Sequence, residues 1–198
     1  MVYRGHRLSA DQREELLDTV DLGPSRTLQQ DVEFGVLQIV DLALKAISPA
    51  VNDPSTGITC VDQLSRTLIR FASRELPPAL LYDPPGVLRA SIPWIGFEGM
   101  LNSAFEQIRL YSRADVAVSL RMLRALSNIA GTLEEPAYRG KLHELGKRIV
   151  QGCTNELTEE EVRPMCLRLA TLEQLAIIPA PSARRQDCSD DLVLYSLP

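Results

Sequence analysis

Three aspartates, one arginine and four uncharged polar residues crowd into a single short stretch. They are Arg26, Gln30, Asp31, Gln38, Asp41, Ser48, Asn52 and Asp53. Carboxylates held at the ends of a buried helix can serve as acid and base, or hold a hard cation through oxygen ligands. An arginine fork beside them can grip a carboxylate or a phosphate. Ser48, Asn52 and Asp53 precede Pro54, where a helix should start, and two readings of them stand. They form turn chemistry, with one Asx side chain capping free amides. Alternatively they form a polar cluster at a helix N-terminus, where amides and dipole favour an anion. Asp53 would itself occupy that positive end, which weighs against the second reading. Arg26 pairs with Asp31 or reaches a ligand, and the pairing is the simpler use of its fork.

These residues need elements to position them. Stepping 100° per residue over 30–47 puts Asp31, Phe34, Gln38, Asp41 and Lys45 on one narrow stripe. The rest of the circumference is apolar apart from Glu33, so the segment reads as a buried helix packed on several sides. Asp41 and Lys45, four apart, can pair across one turn. Thr27 with Gln30 is a candidate capping box for this helix. Pro49 should end it at Ile47 or Ser48. Pro54 suits the first position of the next helix, expected over 54–75 with Val61, Leu64, Leu68 and Phe71 inward. Asp62, Arg66 and Arg70 form a charge ladder that reads as a solvated face.

The remaining chain follows the same logic. Ser9 and Gln12 make a capping box for a first helix, with Leu16, Leu17 and Val20 as its apolar face. Runs 79–83 and 87–92 flank Pro84-Pro85-Gly86, which predicts a β-hairpin that must lean on the helices. Trp94 is expected to anchor it by packing. Helices follow at 97–112, with Phe97, Leu101, Phe105, Ile108 and Tyr111 inward, and at about 115–131. Another is expected at 136–152. A last helix opens with the Thr158/Glu161 capping box and reaches about 176, with Pro164 delaying or kinking its start. The expected fold is mainly α. It is a multi-helix bundle of about seven helices over residues 1–178 with one small inserted hairpin, followed by a flexible tail over 179–198.

Composition limits the function. The 198 residues carry 21 Lys and Arg against 26 Asp and Glu, a net charge of −5. That mild acidity speaks against nucleic-acid binding and against docking on an anionic membrane by charge alone. The four cysteines form no CxxC pair, and Cys60, Cys153 and Cys166 read as reduced core residues. With two histidines, a zinc site is not expected, nor is any cofactor. No apolar run reaches the roughly 18 residues of a membrane span. No GxGxxG, GxxxxGK[ST], HExxH or GxSxG motif occurs, no catalytic residue is assigned, and the balance is against an enzyme.

The pattern RTxxQDxxFG followed by QxVDxALxAxSPxxNDPxT resembles a bacterial family of predicted membrane proteins, domain of unknown function family twenty-two fifty-four. It is carried by Arg26, Thr27, Gln30, Asp31, Phe34, Gly35, Gln38, Val40, Asp41, Ala43, Leu44, Ala46, Ser48, Pro49, Asn52, Asp53, Pro54 and Thr56. The run AFEQIRLYSRADVAVSLRMLRAL over 104–126 is similar to the family more loosely. The resemblance implies a context and no known activity, and because the region follows a strand-rich segment in that family, it implies that residues 2–8 are the remnant of a strand. Members typically carry transmembrane helices ahead of this region, and this chain has none. It implies a soluble cytoplasmic domain, at the inner face of the inner membrane through an N-terminal region not contained here. Expected partners are another copy of the chain or a membrane protein, and the polar stripe would meet them. The competing expectation is a small-ligand or cation-binding domain, or an enzyme, using the 26–53 cluster.

Overall fold

The computed structural model describes residues 9–19, 23, 26–28, 31–83 and 85–177. Seven helices and one hairpin occur among them. The helices before the hairpin are α1 (Ala10–Asp18), α2 (Val32–Ala46) and α3 (Pro54–Ala72). The strands are β1 (Leu80–Asp83) and β2 (Val87–Ser91). After them come α4 (Phe97–Tyr111), α5 (Val116–Thr132), α6 (Pro136–Cys153) and α7 (Glu159–Ile177). The mainly α expectation therefore holds. The strand remnant at 2–8, Val20 and the tail at 179–198 lie outside the described residues.

Local chemistry sets most boundaries. Ser9 and Gln12 close a full capping box at α1. Asp53 caps α3, with Pro54 in its first turn, and Asp115 caps α5 through the Val118 amide at 2.9 Å. At α7 the Glu161 carboxylate accepts from both the Thr158 amide and its hydroxyl. Pro164 sits inside that helix without delaying its start. The cap of α2 differs from expectation. It is Asp31, whose carboxylate accepts from the Phe34 amide at 3.0 Å, while the carbonyl of Thr27 accepts from the Asp31 amide. Asp31 stands one turn closer to the first apolar residue than Thr27, and Gln30, the other half of the expected box, lies outside the described residues.

The core centres on α5, which packs against α3, α6 and α7, while α2 packs on α3 and α4. α5 buries Val118, Ser119, Met122, Leu123, Ala125, Leu126, Ile129 and Ala130. α2 is covered on one side only. Val36, Val40, Ala43 and Ala46 are buried, whereas Val32 and Leu42 are half exposed, so the expectation of packing on several sides fails. Two neighbouring helices occupy one face, and nothing in the described chain covers the other. α1 buries none of its residues, because two leucines in a strongly charged segment offer too little apolar area. Tyr111 is exposed, since the helix ends there and Ser112 takes the inward position. Cys60 and Cys153 are buried as expected, but Cys166 is exposed.

The hairpin forms where expected, with Gly86 in the left-handed region (φ 117°) and its amide bonded to the Asp83 carbonyl at 2.8 Å. The antiparallel register slips between Leu81 and Tyr82. It does not lean on the helices: all four residues of β1 are exposed. Trp94 is also half exposed, so it does not anchor the hairpin by burial.

Two glycines make the packing testable. A Cβ on Gly57 would sit 2.7 Å from Cγ2 of Ile47, a stiff β-branched methyl at the end of α2. Gly131, exposed in α5, has nothing within 4 Å of that position. Gly57→Ala should lower stability by about 1–2 kcal/mol, because overpacking outweighs the helix-propensity gain. Gly131→Ala should raise it by about 0.5–1 kcal/mol. Urea midpoints of both variants check the contrast, and a stabilised Gly57→Ala would show that α2 and α3 can slide apart freely.

Candidate functional site

The eight sequence candidates do not meet at one place. Asp31 opens α2 and Ser48 follows its end, so about 25 Å of helix separates them. Gln38 and Asp41 lie between, exposed on the uncovered face, and no ion pair among the described residues joins Asp41 to Lys45. Gln30 lies outside the described residues.

At the far end the polar residues shape the loop. The Ser48 hydroxyl donates to the Lys45 carbonyl at 2.7 Å, and the Ser48 carbonyl accepts from the Asn52 amide at 2.8 Å. Asn52 adopts a left-handed conformation (φ 50°), which asparagine tolerates better than most side chains. Asp53 accepts from the Thr56 amide at 3.1 Å and from its hydroxyl at 2.5 Å. The Thr56 hydroxyl, with the amide second, holds the Asp53 carboxyl below the usual carboxylate range. A carboxylate already fills the positive end of α3, so this geometry has the form of turn chemistry.

The near end holds a cleft. Arg26 donates from Nε to Asp31 at 2.5 Å and from Nη2 to Glu33 at 3.1 Å. Its guanidinium lies 5.8 Å from the centre of the Phe34 ring. Glu33 also accepts from the Ser103 hydroxyl of α4 at 2.8 Å. Arg26, Asp31, Val32 and Glu33 form one wall of a cleft of about 440 Å³. Phe71, Leu76 and Pro77 form a second wall, and Pro93, Trp94 and Ile95 the third. One cation is shared by two carboxylates, each with a second, neutral donor, which leaves the cluster with one net negative charge.

Sequence reasoning found Arg26 and Asp31 but missed Glu33, Ser103 and Trp94 as their neighbours. Glu33 looked like an exception on an apolar surface, and that exception was the only available pointer. It also read Asp62 as part of a solvated ladder. Asp62 instead takes a bidentate bond from Arg121 of α5, fifty-nine positions away.

The Arg26 bond, followed by the Phe34 amide, holds the Asp31 carboxyl below its ordinary range. A depressed folded-state pKa stabilises the fold above the ordinary value of about 3.9, and that contribution is lost as pH falls through and below it. Asp31→Asn keeps a good cap but loses the ion pair. Wild type should therefore unfold at higher urea than Asp31→Asn near neutrality, and the gap should close toward about pH 2.5. A gap that stays constant with pH would assign the difference to capping alone.

The sequence is similar to those of known proteins. The family model described as Predicted membrane protein (DUF2254) matches residues 1–128. Similar curated proteins include an uncharacterised protein of Mycobacterium bovis and two from strains of Mycobacterium tuberculosis. Each is 36% identical over 161 residues, covering 81% of this chain and 31% of the relative. The chain thus spans about a third of the length of these relatives. No solved structure shows significant similarity to it. No helix among the described residues is long and apolar enough to cross a membrane.

Proposed function

Because the chain belongs to the DUF2254 family of predicted membrane proteins, we propose that it is a non-enzymatic helical assembly domain of such a protein. It works at the cytoplasmic face of the inner membrane and brings copies of the chain together there. The supporting observation is the uncovered arm. β1 exposes Leu80, Leu81 and Tyr82, and Leu76 and Trp94 at the base of the arm are also close to half exposed. A two-stranded hairpin is marginal alone, and clustered apolar and aromatic exposure marks an interaction surface. Tyr and Trp are the side chains that most often dominate binding energy. The exposed face of α2, with Leu42 beside Gln38 and Asp41, extends the available surface.

Light scattering from micromolar to sub-millimolar concentration tests this reading. Wild type should gain mass with concentration, and the double variant Leu81→Ser, Tyr82→Ser should stay monomeric with unchanged helical circular dichroism. A wild type that is monomeric throughout, or a double variant that associates equally, removes the arm from assembly.

The second reading is a small ligand or cation in the cleft at Arg26, Asp31 and Trp94. Its support is the volume, which falls within the range of ligand sites. A divalent cation present at ~100 Kd should add about 2.7 kcal/mol to stability, and Asp31→Asn should abolish that gain.

A further inference from the structure

Residues from three helices meet in a second groove, lined by none of the residues of the Arg26 cleft. Ala117, Leu120, Arg121 and Arg124 share one face of α5 at helical spacing. Pro164 and Arg168 come from α7, and Ile58 from α3. They line a groove of about 350 Å³, with an apolar floor and three arginines.

The arginines differ in kind. Arg121 spends Nε and one Nη2 donor on Asp62, which fixes the plane of its guanidinium. A guanidinium has five donors in a rigid fork, so the Nη1 side of Arg121 remains available. Arg124 and Arg168 are exposed and make no ion pair among the described residues. Three arginines against one aspartate leave two uncompensated positive charges in this groove, on a chain whose net charge is −5. Like charges gathered on packed helices repel one another, and an anion with several oxygen acceptors relieves that repulsion. Planar forks from two facing helices suit phosphate, which accepts paired N–H bonds.

We propose that this groove binds a phosphate group, with Arg121 as the oriented fork and Arg124 and Arg168 closing on the remaining oxygens. The apolar floor of Ile58, Ala117 and Leu120 takes the carbon part of the phosphate-bearing molecule. That molecule is a phospholipid headgroup or a soluble phosphate compound, and one experiment separates the two.

Calorimetric titration with inorganic pyrophosphate is run beside co-sedimentation with phosphatidylcholine vesicles, with and without phosphatidylglycerol. The comparison proteins are wild type, the double variant Arg124→Ala, Arg168→Ala, and the charge-matched control Arg66→Ala, Arg70→Ala on the exposed face of α3. The groove variant should lose about tenfold or more in affinity, since charge-assisted bonds to an anion are the strong ones. The control should bind like wild type. Binding to phosphatidylglycerol vesicles without pyrophosphate binding identifies a lipid headgroup, and the reverse identifies a soluble phosphate compound. The proposal is overturned if neither probe binds, or if the groove variant and the control lose binding equally, which would be general charge. Exposed arginines are dispensable for folding, and a circular dichroism melt of each variant verifies it. The hairpin takes no part in this test, so its outcome is independent of the assembly reading.

Discussion

Arg139→Ala should destabilise the protein by about 3–5 kcal/mol, among the largest effects of any single polar substitution in the chain. Arg139 is one of four buried polar or charged residues among the described ones, only 5% exposed. It sits in the first turns of α6 and donates from Nε at 2.9 Å and from Nη2 at 2.5 Å to the Leu133 carbonyl. Nη1 donates at 3.3 Å to the Leu175 carbonyl. Leu133 ends α5 and Leu175 lies in the last turn of α7. Both carbonyls belong to helix C-termini, where partial negative charge accumulates and a cation is favourable. One guanidinium thus joins three helix ends. Alanine would strand one buried acceptor, at a cost of about 1–3 kcal/mol, and a second, partly buried one, and leave a void besides. For a domain of this size the melting temperature should fall by about 10 °C. Arg139→Lys should recover part of the loss, because a single ammonium keeps the charge but not the fork. Urea unfolding of the three proteins is the measurement. An Arg139→Ala midpoint indistinguishable from wild type would mean that water replaces the guanidinium at no cost.

Phe105→Ala should cost about 3–5 kcal/mol, whereas Tyr111→Ala, six positions along the same helix, should change stability by less than about 0.5 kcal/mol. Phe105 is fully buried and Tyr111 is 72% exposed. Both looked inward by spacing. The ring of Phe105 sits in the core with Met100, Leu101, Ala104 and Ile108 around the α4 stripe. Removing it leaves a cavity that close-packed neighbours fill only partly. Tyr111 is the last residue of α4, and the chain turns at Ser112. Ser112 is buried, and its carbonyl accepts the Ser119 hydroxyl at 2.9 Å. The two melting temperatures, measured together, test whether the end of α4 or its periodicity decides what is buried. Equal losses would return Tyr111 to the core.

These contrasts mark where sequence reasoning succeeds. Helix number, the turn at Pro84-Pro85-Gly86, the cap at Ser9 and an Asx cap just before Pro54 were legible because each rests on contacts within a few residues. The Arg26–Asp31 pair was legible for the same reason, being five positions apart. Trp94 was misjudged because no local pattern tells a packing anchor from the wall of a cleft. The uncovered face of α2 was misjudged because periodicity counts apolar positions without counting the neighbours available to cover them. Leu42 and Val32 are apolar by sequence and half exposed in fact.

The sequence by itself determined the seven helical segments, the hairpin, most of their boundaries and the family. Capping, proline geometry and the 3.6-residue period act within one or two turns, and these are properties of short stretches of chain. Only the tertiary structure decided that α5 is the central helix, that Arg139 joins three helix ends, and that Asp62 belongs to Arg121 rather than to its own ladder. It alone spread the described 26–53 candidates along the length of α2 and gathered Arg121, Arg124 and Arg168 into one groove. Each of those outcomes depends on which helices are neighbours. That choice is made by the burial of whole faces against one another, a sum over residues far apart in the chain that no local spacing encodes.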